Sequence, residues 1–373
     1  MSRSDFQGVK RVVIKIGSSL LTQGGQGLHK AAIKEWVAQM TGLKQRSVDV
    51  ILVSSGSVAE GMSRLKLKQR PKILHELQAA AAVGQMGLVR VFDDNFQHYG
   101  FHAAQVLLTH DDLSDRQRYL NARSTLLTLL KFGVVPVINE NDTVATEEIR
   151  FGDNDTLAAL VANLVEADLL IILTDQQGLF TGDPGIYPDA QLIPQISVND
   201  SRLEKMAGES RSGLGRGGMY TKVRAARLAA RSGAATVVAA GNTENVIAKV
   251  LAGEQLGTHF LPDIEPLAAR KRWLVGQLQV KGVLMLDAGA VKVLKSDGKS
   301  LLAVGVRSVS GRFERGELVS CVDENGLEIA RGLVNYGKAD AELIAGKSSV
   351  EFEKILGYAD DSEMIHRDNI VLV

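Results

Sequence analysis

The chain has 373 residues, of which 45% are hydrophobic and 23% charged, and its formal net charge is zero. This length predicts two domains, and the zero net charge argues against a global attraction to nucleic acid or to an anionic membrane. Cys321 is the single cysteine, which excludes an intramolecular disulfide framework; the thiol is expected to be a small buried hydrophobe. The N-terminal segment lacks an apolar signal region and no apolar run is long enough to span a bilayer, so we expect a cytoplasmic protein.

Short β-branched segments alternate with helical patterns up to about residue 262. The segments are apolar throughout, which is typical of strands covered on both faces. They comprise residues 12–16, 50–54, 105–108, 134–138, 169–174 and 236–239. Helices are predicted between them, one with Ile33, Val37, Met40 and Leu43 on a single face and another from about residue 73 to 96. The alternation predicts an α/β fold in which helices sandwich a mostly parallel central sheet.

The pattern changes at residues 262–266, where two prolines mark a linker. Beyond it, short apolar segments with frequent glycines occur at residues 291–294, 301–306, 318–322 and 329–334. Their spacing predicts a small, mostly β domain in the form of a barrel. The predicted organisation is a large domain over residues 1–262, a linker over residues 263–276 and a small domain over residues 277–373.

Two clusters of acidic and amide side chains lie close together in the middle of the chain. Asn139-Glu140-Asn141-Asp142 closes one apolar run, and Gly152-Asp153-Asn154-Asp155 opens another. Polar groups at this density are costly in a core and more than a simple turn requires. At the end of a strand and the start of a helix in an α/β chain, they predict a site for a ligand with ammonium and carboxylate groups.

Two segments that follow strands are candidates for binding anions. Lys15 stands at the end of the first strand and is followed by Gly17 and Ser18, so an ammonium group and backbone N–H groups can meet a phosphate chain. A lysine that extends its ammonium to solvent is the alternative. Ser54-Ser55-Gly56-Ser57 precedes a helix, whose N-terminus suits a carboxylate or a phosphate; an ordinary serine N-cap is the alternative there.

A glycine-rich segment, residues 213–222, formally matches the G-x-G-x-x-G pattern. It is preceded by polar residues instead of a strand, and no acidic residue follows at the required distance, so we reject a dinucleotide site. The remaining interpretation is a flexible loop that places Lys222 at the start of a helix over residues 223–232. Thr174 and Asp175 end the fifth strand and fit contact with a nucleotide, although an Asx-turn is the commoner meaning of such a pair.

The chemistry that these motifs favour is phosphoryl transfer. None of the seven histidines lies in them, and no zinc-ligand spacing occurs, so a zinc or serine-triad hydrolase is not expected. Two lysines, glycine loops and carboxylates without a general base suit an acceptor that is already ionised. A carboxylate with a pKa of about 4.3 is such an acceptor at neutral pH.

Taken in order, the motifs resemble those of the amino-acid kinase family. The resemblance is carried by residues 13–18, 53–56, 138–142, 152–155, 173–175 and 217–222, and it extends over nearly the whole chain. The pair of acidic-amide clusters is highly specific within the family, to members that phosphorylate glutamate. The segment from about residue 277 resembles a PUA domain, which is known from RNA-modifying proteins.

The resemblance implies ATP-dependent, Mg²⁺-dependent phosphorylation of the side-chain carboxylate of L-glutamate, the first step of proline biosynthesis. It also implies feedback inhibition by proline and a homo-oligomer. The implied catalytic residues are Lys15, Lys222 and Asp155. The implied substrate-binding residues are Ser55, Gly56, Asp142 and Asn154. The implied ATP-binding residues are Lys15, Gly17, Ser18, Thr174, Asp175, Arg216, Gly217, Gly218, Met219, Tyr220, Thr221 and Lys222.

The chain departs from the family pattern at Arg216 and Tyr220, where a small hydroxyl residue is expected. Asp153 and Asp155 are candidate Mg²⁺ ligands, and Mg²⁺ held by ATP phosphates and water is the alternative. Other members of the family, such as aspartate, acetylglutamate, carbamate or UMP kinases, are alternatives against which the 139–142 cluster and the C-terminal domain argue. RNA binding through residues 277–373 is a further alternative, disfavoured because this segment has 12 Lys and Arg against 15 Asp and Glu, a net charge of −3.

Overall fold

The computed structural model describes residues 2–22, 27–145, 154–208, 218–262, 279–297, 299–358 and 361–373. The chain divides into two units, one of Met1–Ser114 with Asn121–Ala269 and the other of Asp115–Leu120 with Arg270–Val373. The predicted linker, residues 263–276, lies outside the described residues. No helix in the described parts of the chain is both long and apolar enough to cross a bilayer.

Within the described residues, the larger unit has one sheet of eight strands. The strands are β1 (Arg11–Ile16), β2 (Asp49–Val53), β3 (Ala103–Leu108), β4 (Val135–Glu140), β5 (Leu169–Thr174), β6 (Gln195–Ser197), β7 (Ala235–Ala240) and β8 (Thr258–Leu261). Their order is β3-β4-β2-β1-β5-β7-β8-β6, and every pairing is parallel except that of β7 with β8. The prediction of a mostly parallel sheet is confirmed. The sequence did not indicate β6 or β8, because neither short segment contains a β-branched apolar run.

The helices that the structure describes before residue 262 alternate with these strands. They are α1 (Ser18–Leu21), α2 (Lys30–Lys44), α3 (Ser57–Arg64), α4 (Leu74–Gln97), α5 (His110–Ser114), α6 (Arg116–Lys131), α7 (Asn154–Leu164), α8 (Leu203–Ala207), α9 (Met219–Ala229) and α10 (Val246–Leu251). Short 3₁₀ segments cover Arg3–Gly8 and Ala230–Ser232.

Both faces of the sheet are covered, which explains why its strands are apolar at successive positions. Neighbouring residues of a strand point to opposite faces, yet Val13 and Ile14 of β1 are both fully buried. Ile14 belongs to a core cluster with Val37 and Met40 of α2, and with residues of α4 and α10. The helix α7 contacts β1 and β5, and packs against α9. The predicted sandwich of helices about the sheet is therefore confirmed.

Helices α3 and α4 approach each other closely through two glycines. A Cβ atom on Gly84 of α4 would overlap the carbonyl oxygen of Ser57 and the backbone nitrogen of Gly61 in α3. A Cβ atom on Gly61 would overlap the carbonyl oxygen of Ala80 in the same way. Because the clashing atoms belong to the backbone, a side chain at either position requires the helices to move apart.

Gly84→Ala is therefore expected to destabilise the protein by about 1–3 kcal/mol, the range for overpacking. Gly42→Ala, in the interior of α2, is the matched control, since nothing lies within 4 Å of a Cβ atom there. That control is expected to be neutral or to stabilise by up to about 1 kcal/mol, because alanine has the higher helix propensity. Urea denaturation measures both variants, and equal free energies of unfolding would contradict the helix contact.

The imidazole of His259, in β8, is fully buried against the ring of Phe6. Neither ring nitrogen has a hydrogen-bond partner within the described residues. Burial, with the nearby positive charge of Arg3 as a smaller cause, lowers the pKa of His259 to about 4. The folded protein therefore holds this ring in its neutral form.

This pKa predicts a pH-dependent loss of stability. The unfolded chain takes up a proton at His259 near pH 6.5 and the folded chain only near pH 4, so the free energy of unfolding falls as the pH drops between these values. The loss that belongs to His259 is expected to be about 3 kcal/mol. Urea denaturation at pH 7 and pH 4 should show a steeper loss in the wild type than in His259→Leu; parallel losses would contradict the prediction.

The described part of the smaller unit contains a five-stranded sheet. Its strands are β9 (Gly282–Leu286), β10 (Val306–Gly311), β11 (Leu318–Val322), β12 (Glu328–Leu333) and β13 (Ile370–Leu372). The order is β10-β9-β11-β12-β13, with β9 and β11 parallel and the other pairs antiparallel. Helices α11 (Ala288–Asp297), α12 (Lys338–Ile344) and α13 (Phe352–Leu356) accompany it, with 3₁₀ segments at Ala303–Gly305, Ser349–Glu351 and Arg367–Asn369. The prediction of a mostly β domain is confirmed.

Two of the four apolar segments on which this prediction rests are not strands along their length. Residues 291–294 belong to α11, which begins where the Asp287 carboxylate accepts the backbone N–H of Ala290 and which buries Leu294 in the core. In residues 301–306, Leu301 forms an isolated bridge, a 3₁₀ turn follows, and β10 begins only at Val306. Cys321 is fully buried as expected, and burial, followed by the charge of Glu328, raises the pKa of its thiol to about 12.

Candidate active site

The sheet brings four of the predicted segments to one edge. Strands β4, β2, β1 and β5 are consecutive neighbours and mutually parallel, so their carboxyl ends meet. The residues at or after those ends are 139–142 for β4, 54–56 for β2, 15–18 for β1 and 174–175 for β5. Helix α7 begins at the same edge with Asn154 and Asp155. Parallel strands bind ligands at such an edge.

One buried carboxylate holds two buried lysines there. The Nζ atom of Lys15 lies 2.6 Å from Oδ1 of Asp155, and the Nζ atom of Lys222 lies 3.2 Å from Oδ2. Lys15 is 5% exposed, Lys222 is 3% exposed and Asp155 is fully buried. The alternative of a solvent-directed Lys15 is thereby excluded. Two ammonium groups on a single carboxylate leave one excess positive charge in this trio.

Asp155 stays ionised in spite of its burial. Burial by itself raises the pKa of this carboxyl group, but the charges of Lys15 and Lys222 outweigh it. Hydrogen bonds from Lys15 and from the Thr221 hydroxyl add to their effect, so the pKa of Asp155 is lowered to about 2. The lysines are consequently fixed in position before any ligand arrives, which suits them to bind a phosphate chain.

The end of the glycine-rich segment positions Lys222. Gly218 is the N-cap of α9. The hydroxyl oxygen of Thr221 lies 2.8 Å from the carbonyl oxygen of Gly218 and 2.8 Å from Oδ2 of Asp155. Lys222 is in the first turn of α9, as predicted, while Tyr220 is 45% exposed and Met219 begins the helix. Arg216 and Gly217 lie outside the described residues, so their assignment to ATP binding stays a prediction.

The turn after β1 lies beside the end of β5. The backbone N–H of Gly17 donates to the carbonyl of Leu173 over 3.0 Å, and Ser18 begins α1. At the end of β5, the Thr174 hydroxyl donates to Oδ1 of Asp175 over 3.0 Å. Thr174 is buried whereas Asp175 is exposed. These groups therefore lie at the carboxyl ends of the paired strands β1 and β5, next to Lys15.

A second polar group forms beside β2 and β4. Nδ2 of Asn154 lies 2.6 Å from the Ser54 carbonyl oxygen, 2.8 Å from Oδ1 of Asn139 and 3.1 Å from Oγ of Ser55. The hydroxyl of Ser57 donates to Oδ2 of Asp142 over 2.6 Å. Burial raises the pKa of Asp142, and the hydrogen bond from Ser57 and the charge of Arg70 oppose that rise. Ser55, Asp142 and Asn154 of the predicted substrate residues take part in these bonds, and Gly56 lies between Ser55 and Ser57.

The serines before α3 are not helix caps. The N-cap is Gly56, which makes no side-chain capping bond and has φ of +94°, a left-handed conformation that favours glycine. This turn directs Ser55 toward Asn154 and Ser57 toward Asp142. The interpretation as an ordinary serine N-cap is wrong.

Sequence reasoning missed one member of the site. Gln85, in the middle of α4, is 6% exposed, and its Oε1 accepts the Nδ2 hydrogen of Asn139 over 2.7 Å. A glutamine within an amphipathic helix carries no signal that distinguishes it from a surface position. Its distance of 54 residues from Asn139 in the chain is bridged only by the fold.

The described residues do not form a cage for a divalent cation. No group of three or more metal-binding side chains occurs among them. Both oxygens of Asp155 are engaged by ammonium groups, which disfavours a cation on that carboxylate. The other candidate, Asp153, lies outside the described residues.

A mostly parallel sheet with two buried lysines and glycine turns at its carboxyl edge defines a phosphate-binding α/β enzyme site. Residues 10–240 match the amino acid kinase family, and residues 282–356 match the PUA domain. The chain belongs to the amino acid kinase family, and this membership implies the use of ATP.

The chain is also similar over its full length to curated proteins named glutamate 5-kinase. It is 62% identical over 371 residues to that of Methylococcus capsulatus and 58% identical over 373 residues to that of Hydrogenovibrio crunogenus. It is 59% identical over 371 residues to that of Ectopseudomonas mendocina. Each comparison covers 100% of this chain, and 99%, 99% and 100% of the respective relatives.

Proposed function

We propose that the protein transfers the γ-phosphoryl group of ATP to the side-chain carboxylate of L-glutamate, which forms L-glutamyl 5-phosphate and begins proline biosynthesis. The observation that carries this proposal is the Lys15–Asp155–Lys222 trio, placed directly beside the polar group that Asn154 makes with Ser55. The full-length similarity to proteins named glutamate 5-kinase supports the choice of acceptor.

The reaction needs charge neutralisation more than proton transfer. A carboxylate oxygen of glutamate forms a bond to the γ-phosphorus, and the bond from that phosphorus to the β,γ-bridging oxygen breaks, so that ADP leaves. The attacking carboxylate is ionised at neutral pH and requires no base. Both reactants are anions, and Lys15 and Lys222 would offset their repulsion and stabilise the charge that spreads over the transferred group.

The two sides of the trio would hold different reactants. On the side of β1 and β5, we assign the nucleotide to Gly17, Ser18, Thr174, Asp175 and residues 216–222, in addition to Lys15. On the side of β2 and β4, Ser55, Gly56, Asp142 and Asn154 would bind glutamate. An ammonium group beside Asp142 would lower the pKa that burial raises, so this carboxylate and the substrate ammonium would stabilise each other's charged forms.

Magnesium would be held chiefly by the phosphate oxygens of ATP and by water, as is usual for this cation with nucleotides. No described carboxylate is assigned to it, and bound Mg²⁺ would supply further neutralisation of phosphate charge. We further propose, from the family resemblance, that proline inhibits the enzyme and that it acts as a homo-oligomer in the cytoplasm.

The test is trapping of the acyl phosphate with hydroxylamine in the presence of ATP and Mg²⁺, with L-glutamate, L-aspartate and N-acetyl-L-glutamate offered separately. A hydroxamate from L-glutamate alone is the expected result. Product from a different acceptor would retain the reaction class and overturn the substrate. No product with any of the three would overturn the proposed function.

A further inference from the structure

Three buried amide side chains form a continuous line from the edge of the sheet into α4. Nδ2 of Asn154 contacts Oδ1 of Asn139 over 2.8 Å, and Nδ2 of Asn139 contacts Oε1 of Gln85 over 2.7 Å. Their exposed fractions are 8%, 1% and 6%, so solvent competes little for these bonds. We call the side chains of Asn154, Asn139 and Gln85 the amide chain.

The direction of every hydrogen bond in the amide chain follows from one backbone group. The carbonyl oxygen of Ser54 can only accept, so the Asn154 atom 2.6 Å from it must be the amide nitrogen. The neighbouring atom of Asn139 is then an acceptor, Oδ1, and the opposite atom of the same amide is a donor. That donor requires an acceptor on Gln85, which fixes Oε1 toward Asn139.

This direction decides what Asn154 offers to a ligand. The contacts of its amide within the described residues are all made by Nδ2, to Ser54, Ser55 and Asn139. Its Oδ1 therefore points away from them and is left to accept a hydrogen bond. In the proposed function the natural donor is the ammonium group of glutamate.

The other end of the amide chain explains why residue 85 is a glutamine. Nε2 of Gln85 is buried and has no hydrogen-bond partner among the described residues. An unpaired buried donor costs about 1–3 kcal/mol, so the acceptor at Oε1 is the useful half of this side chain. A methionine of similar length would remove the acceptor, and an ionised glutamate would have to be desolvated.

The backbone around Gln85 is held by the helix contact described above. Its neighbour Gly84 lies against Ser57 and Gly61, so α4 cannot shift toward or away from α3 without disturbing that contact. The contact with α3 thus fixes the position of the Gln85 acceptor, Oε1. The first residue of α3, Ser57, binds Asp142.

We propose that Gln85 is a positioning residue of the acceptor site: through Asn139 it keeps Asn154 oriented with Oδ1 toward the substrate. This inference rests on the proposed function. It predicts that Gln85 affects the binding of glutamate and leaves the binding of ATP unchanged, although Gln85 touches neither.

The experiment compares Gln85→Met, Gln85→Glu and the control Gln97→Met, which replaces an exposed glutamine near the end of the same helix. Loss of the acceptor in Gln85→Met is expected to raise KM for L-glutamate about tenfold, equivalent to about 1.4 kcal/mol. Both kcat and KM for ATP should stay within about twofold, as in Gln97→Met. Gln85→Glu keeps an acceptor of the same reach, because burial favours the neutral carboxyl group, and its KM for L-glutamate is expected within about threefold of the wild type.

A double-mutant cycle with Asn139→Ala separates positioning from a merely structural role. If Gln85 acts through Asn139, Gln85→Met should have almost no further effect on KM for glutamate once Asn139 is truncated. Should Gln85→Met fail to fold, Gln85→Ala takes its place in the cycle, since it removes the acceptor without adding atoms.

The outcomes distinguish the two proposals. A wild type without glutamate phosphorylation would overturn the proposed function and this inference together. An active wild type with unchanged KM for glutamate in Gln85→Met would overturn only the role of Gln85. Independent, additive effects of Gln85→Met and Asn139→Ala would do the same.

Discussion

Replacement of Lys222 by alanine is expected to lower kcat by about 10²–10³-fold, the usual cost of losing one group that stabilises transition-state charge. Its Nζ atom is buried and lies 3.2 Å from Oδ2 of Asp155, so it is in place before the phosphoryl group moves. Lys222 is on α9, directly after the segment assigned to the nucleotide, whereas the residues assigned to glutamate lie at the ends of β2 and β4 and at the start of α7. KM for L-glutamate should therefore change by less than about threefold.

Arg224→Ala is the matched control, since Arg224 is on the same helix, two residues later, and exposed. It removes a positive charge of equal size from α9 without touching the trio, and its kcat should match the wild type. Steady-state kinetics with each substrate varied in turn measures both variants. Retention of wild-type turnover in Lys222→Ala would refute the assignment of this lysine to the transferred phosphoryl group.

Asp155→Asn is expected to reduce both stability and activity. The variant leaves the ammonium groups of Lys15 and Lys222 buried without a counter-charge, and breaking a buried ion pair in this way costs about 3–5 kcal/mol. The lysines would also lose the anchor that sets their positions, so kcat should fall by at least the factor expected for Lys222→Ala. Urea denaturation at pH 7 and steady-state kinetics measure the two effects.

The pKa of Asp155 also determines how the stability lost in Asp155→Asn depends on pH. The pKa of Asp155 is lowered to about 2 in the folded protein from 3.8. The stability that its charge contributes is therefore fully present above about pH 5 and is lost as the pH falls through 3.8 toward 2. The difference between wild type and Asp155→Asn should be constant from pH 8 to about pH 5 and shrink below that.

Asp200→Asn is a useful contrast, because the pKa of Asp200 is also held at about 2, by its bonds with Arg202. That pair lies at the surface, with the Arg202 side chain 68% exposed, and its attraction is screened by water. The surface variant should unfold with nearly the wild-type free energy. An equal loss in both aspartate variants would show that burial of the Lys15–Asp155–Lys222 trio has no special energetic effect.

The parts of the fold that the sequence predicted correctly are those in which local pattern and tertiary environment agree. Strands β1 and β5 are buried on both faces and read as continuous apolar runs, so their bounds were close to correct. Residues 291–294 are helical, although the spacing of the short apolar segments predicted a mostly β domain there. Asp287 before an apolar pattern of helical spacing was an available N-cap signal, and it favoured the helix that the structure shows.

The candidate site was predictable to the extent that its residues occur in short, dense segments. Lys15, Asp155 and Lys222 could be named from their motifs, but their contact through one carboxylate depends on strand order, which the sequence leaves open. Gln85 could not be named at all. Its partner lies on a strand 54 residues away, and the hydrogen bond exists only because α4 covers that strand.

Two adjacent residues at the start of α7 connect the binding groups proposed for the two reactants. Asn154 contacts the groups assigned to the acceptor, and the next residue, Asp155, holds the lysines assigned to the phosphates. Adjacent Cα atoms are about 3.8 Å apart and rigidly linked in a helix. Any tilt of α7 thus moves the binding groups of both reactants together and preserves their alignment. A local distortion between Asn154 and Asp155 would instead misalign the glutamate oxygen and the γ-phosphorus, without weakening either binding site alone.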